Sequence, residues 1–227
     1  MLTFSKDPTC YLVTEKDLAV GNPLPLPQED ITALRQITSW AREYLCKPNP
    51  SLGRDGPVCP FVERALDLNL FFLTALRRQA ITQGEVFGIV QKYREWYNEI
   101  DPREGWRTQY KTILILLPGI SSEEATLLID GTQRMLKPEF VEHGLMIGQF
   151  HAGPPQEPGL WNPDFRPFNS PIPMLVIRQM VPTDLPFLNK EEHFVVSYLK
   201  RFGDHLPETL KCMANEAIKT CRHKKTE

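Results

Sequence analysis

Apolar residues recur along this chain with two periods, and the change of period marks out its elements. Over 29–46 they fall at helical spacing, with Ile31, Leu34, Ile37, Ala41 and Tyr44 or Leu45 along one face. Thr82 followed by Glu85 reads as a capping box, in which each side chain satisfies an amide of the first helical turn. Val86, Ile89, Val90, Tyr93, Trp96 or Tyr97, and Ile100 continue that helix until Asp101-Pro102 stops it. Ser121 with Glu124 opens a third helix, reaching about Leu136. Two more close the chain, at about 190–202 (Phe194, Val195, Tyr198, Leu199, Phe202) and 207–221 (Leu210, Met213, Ala214, Ala217, Ile218).

Between the helices lie continuous apolar runs of strand length. These are Leu68 to Leu73, Tyr110 to Leu117, Leu145 to Phe150 and Met174 to Val181. The second is apolar at nearly every position, the pattern of a strand buried on both faces and therefore central. About four strands among five helices predict an α+β fold. The expected architecture is a single layered domain over 29–222, with a four-stranded central sheet, helices packed on it and two C-terminal helices. Residues 1–28 read as an extended lead-in ending in Pro23-Leu24-Pro25-Leu26-Pro27, and 223–227 as a frayed tail. Strand order does not follow from the pattern.

A chain of 227 residues buries enough surface for one domain. With 21 prolines, many of them between 153 and 186, much of the late loop backbone is fixed in φ. The formal charge of −2 gives no electrostatic case for nucleic acid or an anionic membrane as partner. No apolar run reaches eighteen residues, and Met1 to Asp7 lacks the charge-then-apolar layout of an export signal. The five cysteines show no C-x-x-C spacing, so reduced thiols in a cytoplasmic protein are expected. Dinucleotide, P-loop and hydrolase-elbow sequences are absent.

Among residues that carry chemistry, His151 leads. It ends an apolar strand and opens a proline-rich loop, where a rigid scaffold positions functional groups. A neutral imidazole there can ligate a metal or haem iron, or act as a general base. Phe150, Trp161, Phe165 and Phe168 are candidate walls of an apolar slot beside it. The alternative is a histidine hydrogen-bonded within a structural loop. Cys59, held between Val58 and Pro60, is a candidate nucleophile if its thiol is acidified, or simply a buried small side chain. Arg178, on an otherwise apolar strand, and Arg166, between Phe165 and Pro167, suit a carboxylate or a haem propionate. A structural pair with a nearby Asp or Glu would serve either arginine equally.

Cys59-Pro60-Phe61-Val62, Gly144 to His151, Asn162 to Pro167 and Pro173 to Arg178 together resemble a family catalogued only as a domain of unknown function. Its members occur in bacteria and fungi, often beside natural-product assembly lines, and the likeness spans roughly 50–203. The order of these motifs is also similar to the YqcI/YcgG family, which includes haem-dependent enzymes that oxygenate amine or guanidine nitrogens. Cys59 and His151 are the residues that carry over. The chain departs from that pattern in reading Cys-Pro-Phe rather than Pro-Cys, and in placing Ala152 after the histidine.

This second resemblance implies a haem-dependent oxidoreductase of specialised metabolism. Haem b would sit on His151 as metal ligand, with Phe150, Trp161, Phe165 and Phe168 around it. Arg178, Arg166 and Cys59 would serve catalysis on a small amine, amino acid or biosynthetic intermediate. No nucleic-acid or membrane partner is expected, and a homodimer is allowed. The first alternative is a cofactor-free domain binding a small molecule or a carrier protein. The second is a Cys59/His151 acyl-transfer or hydrolytic enzyme.

Overall fold

The computed structural model describes residues 1–19, 21, 23–77, 80–155, 162 and 164–223. The fold is α+β. The principal sheet has the order β3-β4-β6-β5, formed by β3 (Phe71–Ala75), β4 (Thr112–Leu116), β5 (Leu145–Phe150) and β6 (Met174–Gln179). β3 and β4 are parallel, whereas β6 runs antiparallel to both β4 and β5. It follows that β3, β4 and β5 all point the same way, and their carboxyl ends share one edge of the sheet.

Side-chain alternation along the strands separates two cores. Phe72, Ile113, Ile115, Leu145, Ile147, Leu175 and Ile177 pack on one face, beneath α3 (Gln83–Glu99) and α5 (Thr132–Glu142). Phe71, Leu73, Leu114, Leu116 and Met174 pack on the other, beneath α1 (Gln28–Trp40) and α2 (Val62–Asp67). A third cluster forms where Met146, Met180 and Val141 meet α6 (Leu185–Leu188), α7 (Glu192–Phe202) and α8 (Glu208–His223). The capping boxes at Thr82 and Ser121 are formed, starting α3 and α4 (Ser122–Ala125). α4 passes through a π-helical turn, Thr126–Gly131, into α5, and α1 likewise continues as a π-helical turn, Ala41–Leu45.

The first residues depart from the sequence expectation. Instead of an extended lead-in, β1 (Leu2–Phe4) and β2 (Asp7–Leu12) form a hairpin. Pro8 lies inside β2, which hides the strand from a sequence reading because proline is confined to edge strands. Phe4 anchors the hairpin by stacking on Trp96 of α3 at 5.2 Å. Val13 then exchanges two backbone hydrogen bonds with Leu73, so the hairpin covers the outer edge of β3. On the opposite edge, buried Gln133 donates its side-chain amide to the Ile147 carbonyl at 3.1 Å. Of the expected tail, His223 ends α8 and 224–227 lie outside the described residues.

Lys111, just before β4, is 2% exposed and donates its ammonium to the Tyr97 and Ile100 carbonyls at 2.8 and 2.7 Å. These are acceptors that the carboxyl end of α3 leaves open. Burial pushes the Lys111 pKa down to about 8, against the opposing influence of Asp101. Between pH 8 and the ordinary lysine value near 10.5 the unfolded chain therefore holds more protons at this site than the folded one. Stability contributed here rises with pH across that window. Urea melts from pH 7 to 10.5 should show wild type gaining on the order of 1–3 kcal/mol relative to Lys111→Met. Parallel pH profiles for the two proteins would contradict this.

Candidate functional site

The carboxyl edge of β3, β4 and β5 is where open α/β sheets place ligands. Two groups of polar residues stand on it, one at the β5 end and one at the β3 end.

At the β5 end is His151. Its backbone pairs with Asn169 in a parallel bridge, which closes the long loop between them. Its ring is 3% exposed. Nδ1 lies 3.1 Å from the Ala152 carbonyl and Nε2 lies 3.0 Å from Oδ1 of Asp130, on the π-helical turn before α5. A carboxylate only accepts, so the Nε2 contact is a hydrogen bond donated by the ring to Asp130. His151 and Asp130 thus form a buried pair tying β5 to the crossover helix.

A proximal iron ligand needs one bare ring nitrogen facing an apolar slot. Here both nitrogens are engaged and the ring is enclosed. The proposed walls also lie elsewhere. Phe150 precedes His151 and points to the opposite face, where its ring meets Phe168 at 4.7 Å and Trp40 at 6.1 Å. Phe165 is buried in that same cluster under α1. Trp161 lies outside the described residues. This arrangement does not fit haem, and no group of three or more His, Cys, Asp or Glu suited to a metal ion occurs among the described residues.

The other sequence candidates are held apart from His151. Arg178 is paired in register with Met146, five residues before His151, so the two sites are roughly 16 Å apart along the strands. Its Nη1 and Nη2 meet Oδ2 and Oδ1 of buried Asp184 at 2.7 and 2.6 Å, a bidentate pair whose carboxylate also accepts from the Val181 amide at 2.8 Å. That guanidinium is committed to the chain turn after β6. Cys59 lies within electrostatic range of Arg178 and Asp184, at the amino end of the sheet. Burial raises the Cys59 pKa despite backbone amides of Phe61 and Val62 that favour the thiolate. A protonated thiol at one end and a paired imidazole at the other do not make a nucleophile–base couple. Arg166 donates to the Phe165 carbonyl at 3.3 Å.

At the β3 end is a cleft of about 190 Å³ that the sequence reading missed. Asp7, Thr9, Cys10 and Tyr11 line it from β2, Ala75, Leu76 and Arg77 from the end of β3, Ile89, Lys92 and Tyr93 from α3, and Asp30 from the start of α1. Tyr11 donates its hydroxyl to the Ala75 carbonyl (3.2 Å) and accepts from the Ala75 amide (3.1 Å). Tyr93 meets the Thr74 hydroxyl at 2.9 Å. Burial raises the pKa of Tyr11, Tyr93 and Cys10 alike, so the lining offers neutral phenols and a protonated thiol. Its charges come as two ion pairs, Arg77 Nε with Asp30 at 2.8 Å and Lys92 with Asp7 at 2.6 Å. The signal that marked this site was faint: a strand, Phe71–Ala75, running straight into Arg77 at its carboxyl end. A wider depression of about 530 Å³, between the proline-rich segment and α1, has Arg35 as its one charged lining residue, and that side chain donates to the Leu18 carbonyl.

The sequence pattern of one catalogued family, described as a domain of unknown function (DUF6875), matches residues 34–213. The chain belongs to the DUF6875 family. No curated protein and no solved structure matches it. The DUF6875 match takes in β3 to β6, α2 to α7 and the polar groups of the carboxyl edge, apart from Asp30 and the β2 side of the cleft.

Separating His151 from Asp130 leaves a buried polar group without its hydrogen-bond partner. His151→Ala and Asp130→Ala should each lower stability by about 2–4 kcal/mol, and the double variant by about 1–3 kcal/mol less than their sum. Urea denaturation of the four proteins measures this coupling. Haemin added to wild type and to His151→Ala should give the same Soret band; a band that needs His151 would reinstate the iron ligand.

Proposed function

We propose that this DUF6875 protein is a cofactor-free small-molecule binding domain whose ligand enters the cleft at the carboxyl end of β3. The observation that carries this reading is Arg77. It lines the cleft, its Nε is held by Asp30, and its Nη1 and Nη2 have no hydrogen-bond partner among the described residues. A guanidinium fork fixed from behind and open in front suits a carboxylate or another planar anion. Orientation is set in advance, so little side-chain freedom is lost on binding. The cleft, at about 190 Å³, is smaller than the 300–1,000 Å³ typical of drug-sized ligands, which points to a compact metabolite.

The lining supports binding rather than turnover. General acid–base or covalent catalysis needs a group with its pKa tuned toward neutrality or an activated nucleophile. Tyr11, Tyr93 and Cys10 are all shifted the other way, toward their protonated forms.

A thermal-shift screen of small carboxylates and amino acids at millimolar concentration tests the reading. At least one compound should raise the Tm of wild type by several degrees, with the shift reduced in Arg77→Lys and lost in Arg77→Ala. Arg77 is 39% exposed, so both variants should keep the fold, as circular dichroism can verify. No stabilising compound, or a shift that survives in Arg77→Ala, removes this site as the binding site.

A further inference from the structure

The Arg77–Asp30 pair has a feature that narrows the ligand. The two side chains are joined through Nε and Oδ1 alone, at 2.8 Å, with Glu29 farther off at 3.6 Å from the same Nε. Asp30 is 6% exposed and lines the cleft, and its second oxygen, Oδ2, has no hydrogen-bond partner among the described residues. One wall therefore presents a cationic donor fork and an anionic acceptor side by side. The same wall is continuous with apolar surface from Leu76 and Ile89.

A simple anion placed on Arg77 would meet repulsion from Asp30, and a simple cation on Asp30 would meet repulsion from Arg77. A molecule carrying both charges on neighbouring atoms relieves both, and gives Oδ2 of Asp30 a charge-assisted donor. Building on the preceding reading of this cleft, we infer that the ligand is a free α-amino acid with a small aliphatic side chain, of about valine or leucine size. Its carboxylate occupies the Nη1/Nη2 fork of Arg77, and its ammonium donates to Oδ2 of Asp30. Its side chain lies against Leu76 and Ile89. The second ion pair, Lys92 with Asp7, lines the same cleft.

The probes are L-leucine, 4-methylpentanoate (leucine without its amine) and 3-methylbutylamine (leucine without its carboxylate), measured by calorimetric titration of the full chain. Leucine should bind at least tenfold more tightly than either fragment. In Asp30→Asn the preference for leucine over 4-methylpentanoate should fall to within about twofold. The comparison of three ligands on wild type stands even if that variant fails to fold. Should 4-methylpentanoate bind as tightly as leucine, the zwitterion assignment is wrong while the carboxylate site on Arg77 survives. Should none of the three bind and the wider screen also yield nothing, both readings fall together.

Discussion

The pairing of β4 on both sides is the constraint from which the rest of the architecture follows. Ile113, Leu114, Ile115 and Leu116 are each at most 2% exposed. A backbone so enclosed cannot turn to water, and every amide left unpaired there would cost about 1–3 kcal/mol. β3 satisfies one side from a parallel approach and β6 the other from an antiparallel one. β5, antiparallel to β6 in turn, ends on the same edge as β3 and β4. The shared carboxyl edge, with an imidazole pair at one end and an ionic cleft at the other, is a direct result of that pairing.

Electrostatics within this frame follow one rule: a charge that must sit in the protein is met by a partner on a neighbouring element or turn. Asp130 meets His151, Asp184 meets Arg178, and the open carbonyls of α3 meet Lys111. Such pairs add little net stability over a well-packed apolar core, but losing one member is costly. They therefore fix how elements sit against one another. Asp130 sets the crossover helix against β5, and Asp184 sets the turn after β6. The Arg77–Asp30 pair differs because it lines a cleft and leaves the terminal guanidinium nitrogens open to it. A partly satisfied pair at a surface depression has chemistry left over for a ligand.

Most of the fold was legible in the sequence. The helices starting at Thr82 and Ser121 were announced by their capping boxes, and β4 by its unbroken apolar run, because both signals are local. The β1–β2 hairpin was not legible. Its strands are short, one contains Pro8, and what holds them is Phe4 against Trp96, a contact over ninety residues long. The site was less legible still. His151 was singled out at the end of its strand, yet its surroundings depended on Asp130, twenty-one residues earlier on a π-helical turn that no periodicity betrays. Arg178 drew notice because an arginine on an apolar strand needs a partner, and only the turn after β6 shows that Asp184 supplies it.

The cleft was invisible to sequence for a reason that also bears on its role. Its lining comes from β2, α1, β3 and α3, four elements spread from Asp7 to Tyr93, and no two of its charged residues stand at a motif spacing. A catalytic centre often leaves a local trace, because a nucleophile or metal needs a specific turn or ligand spacing around it. A cleft of this kind needs only that donors and acceptors arrive at one place, which β2, the end of β3, the start of α1 and the middle of α3 accomplish here. Tyr11 illustrates the division of labour. Its hydroxyl is spent on both backbone groups of Ala75, so it stiffens the end of β3 beneath Arg77 rather than reaching for a substrate. The side chains that sequence inspection ranks highest, His151, Cys59 and Arg178, are consumed in holding the scaffold. The one guanidinium with open donors on the carboxyl-edge cleft is the group that scaffold leaves available.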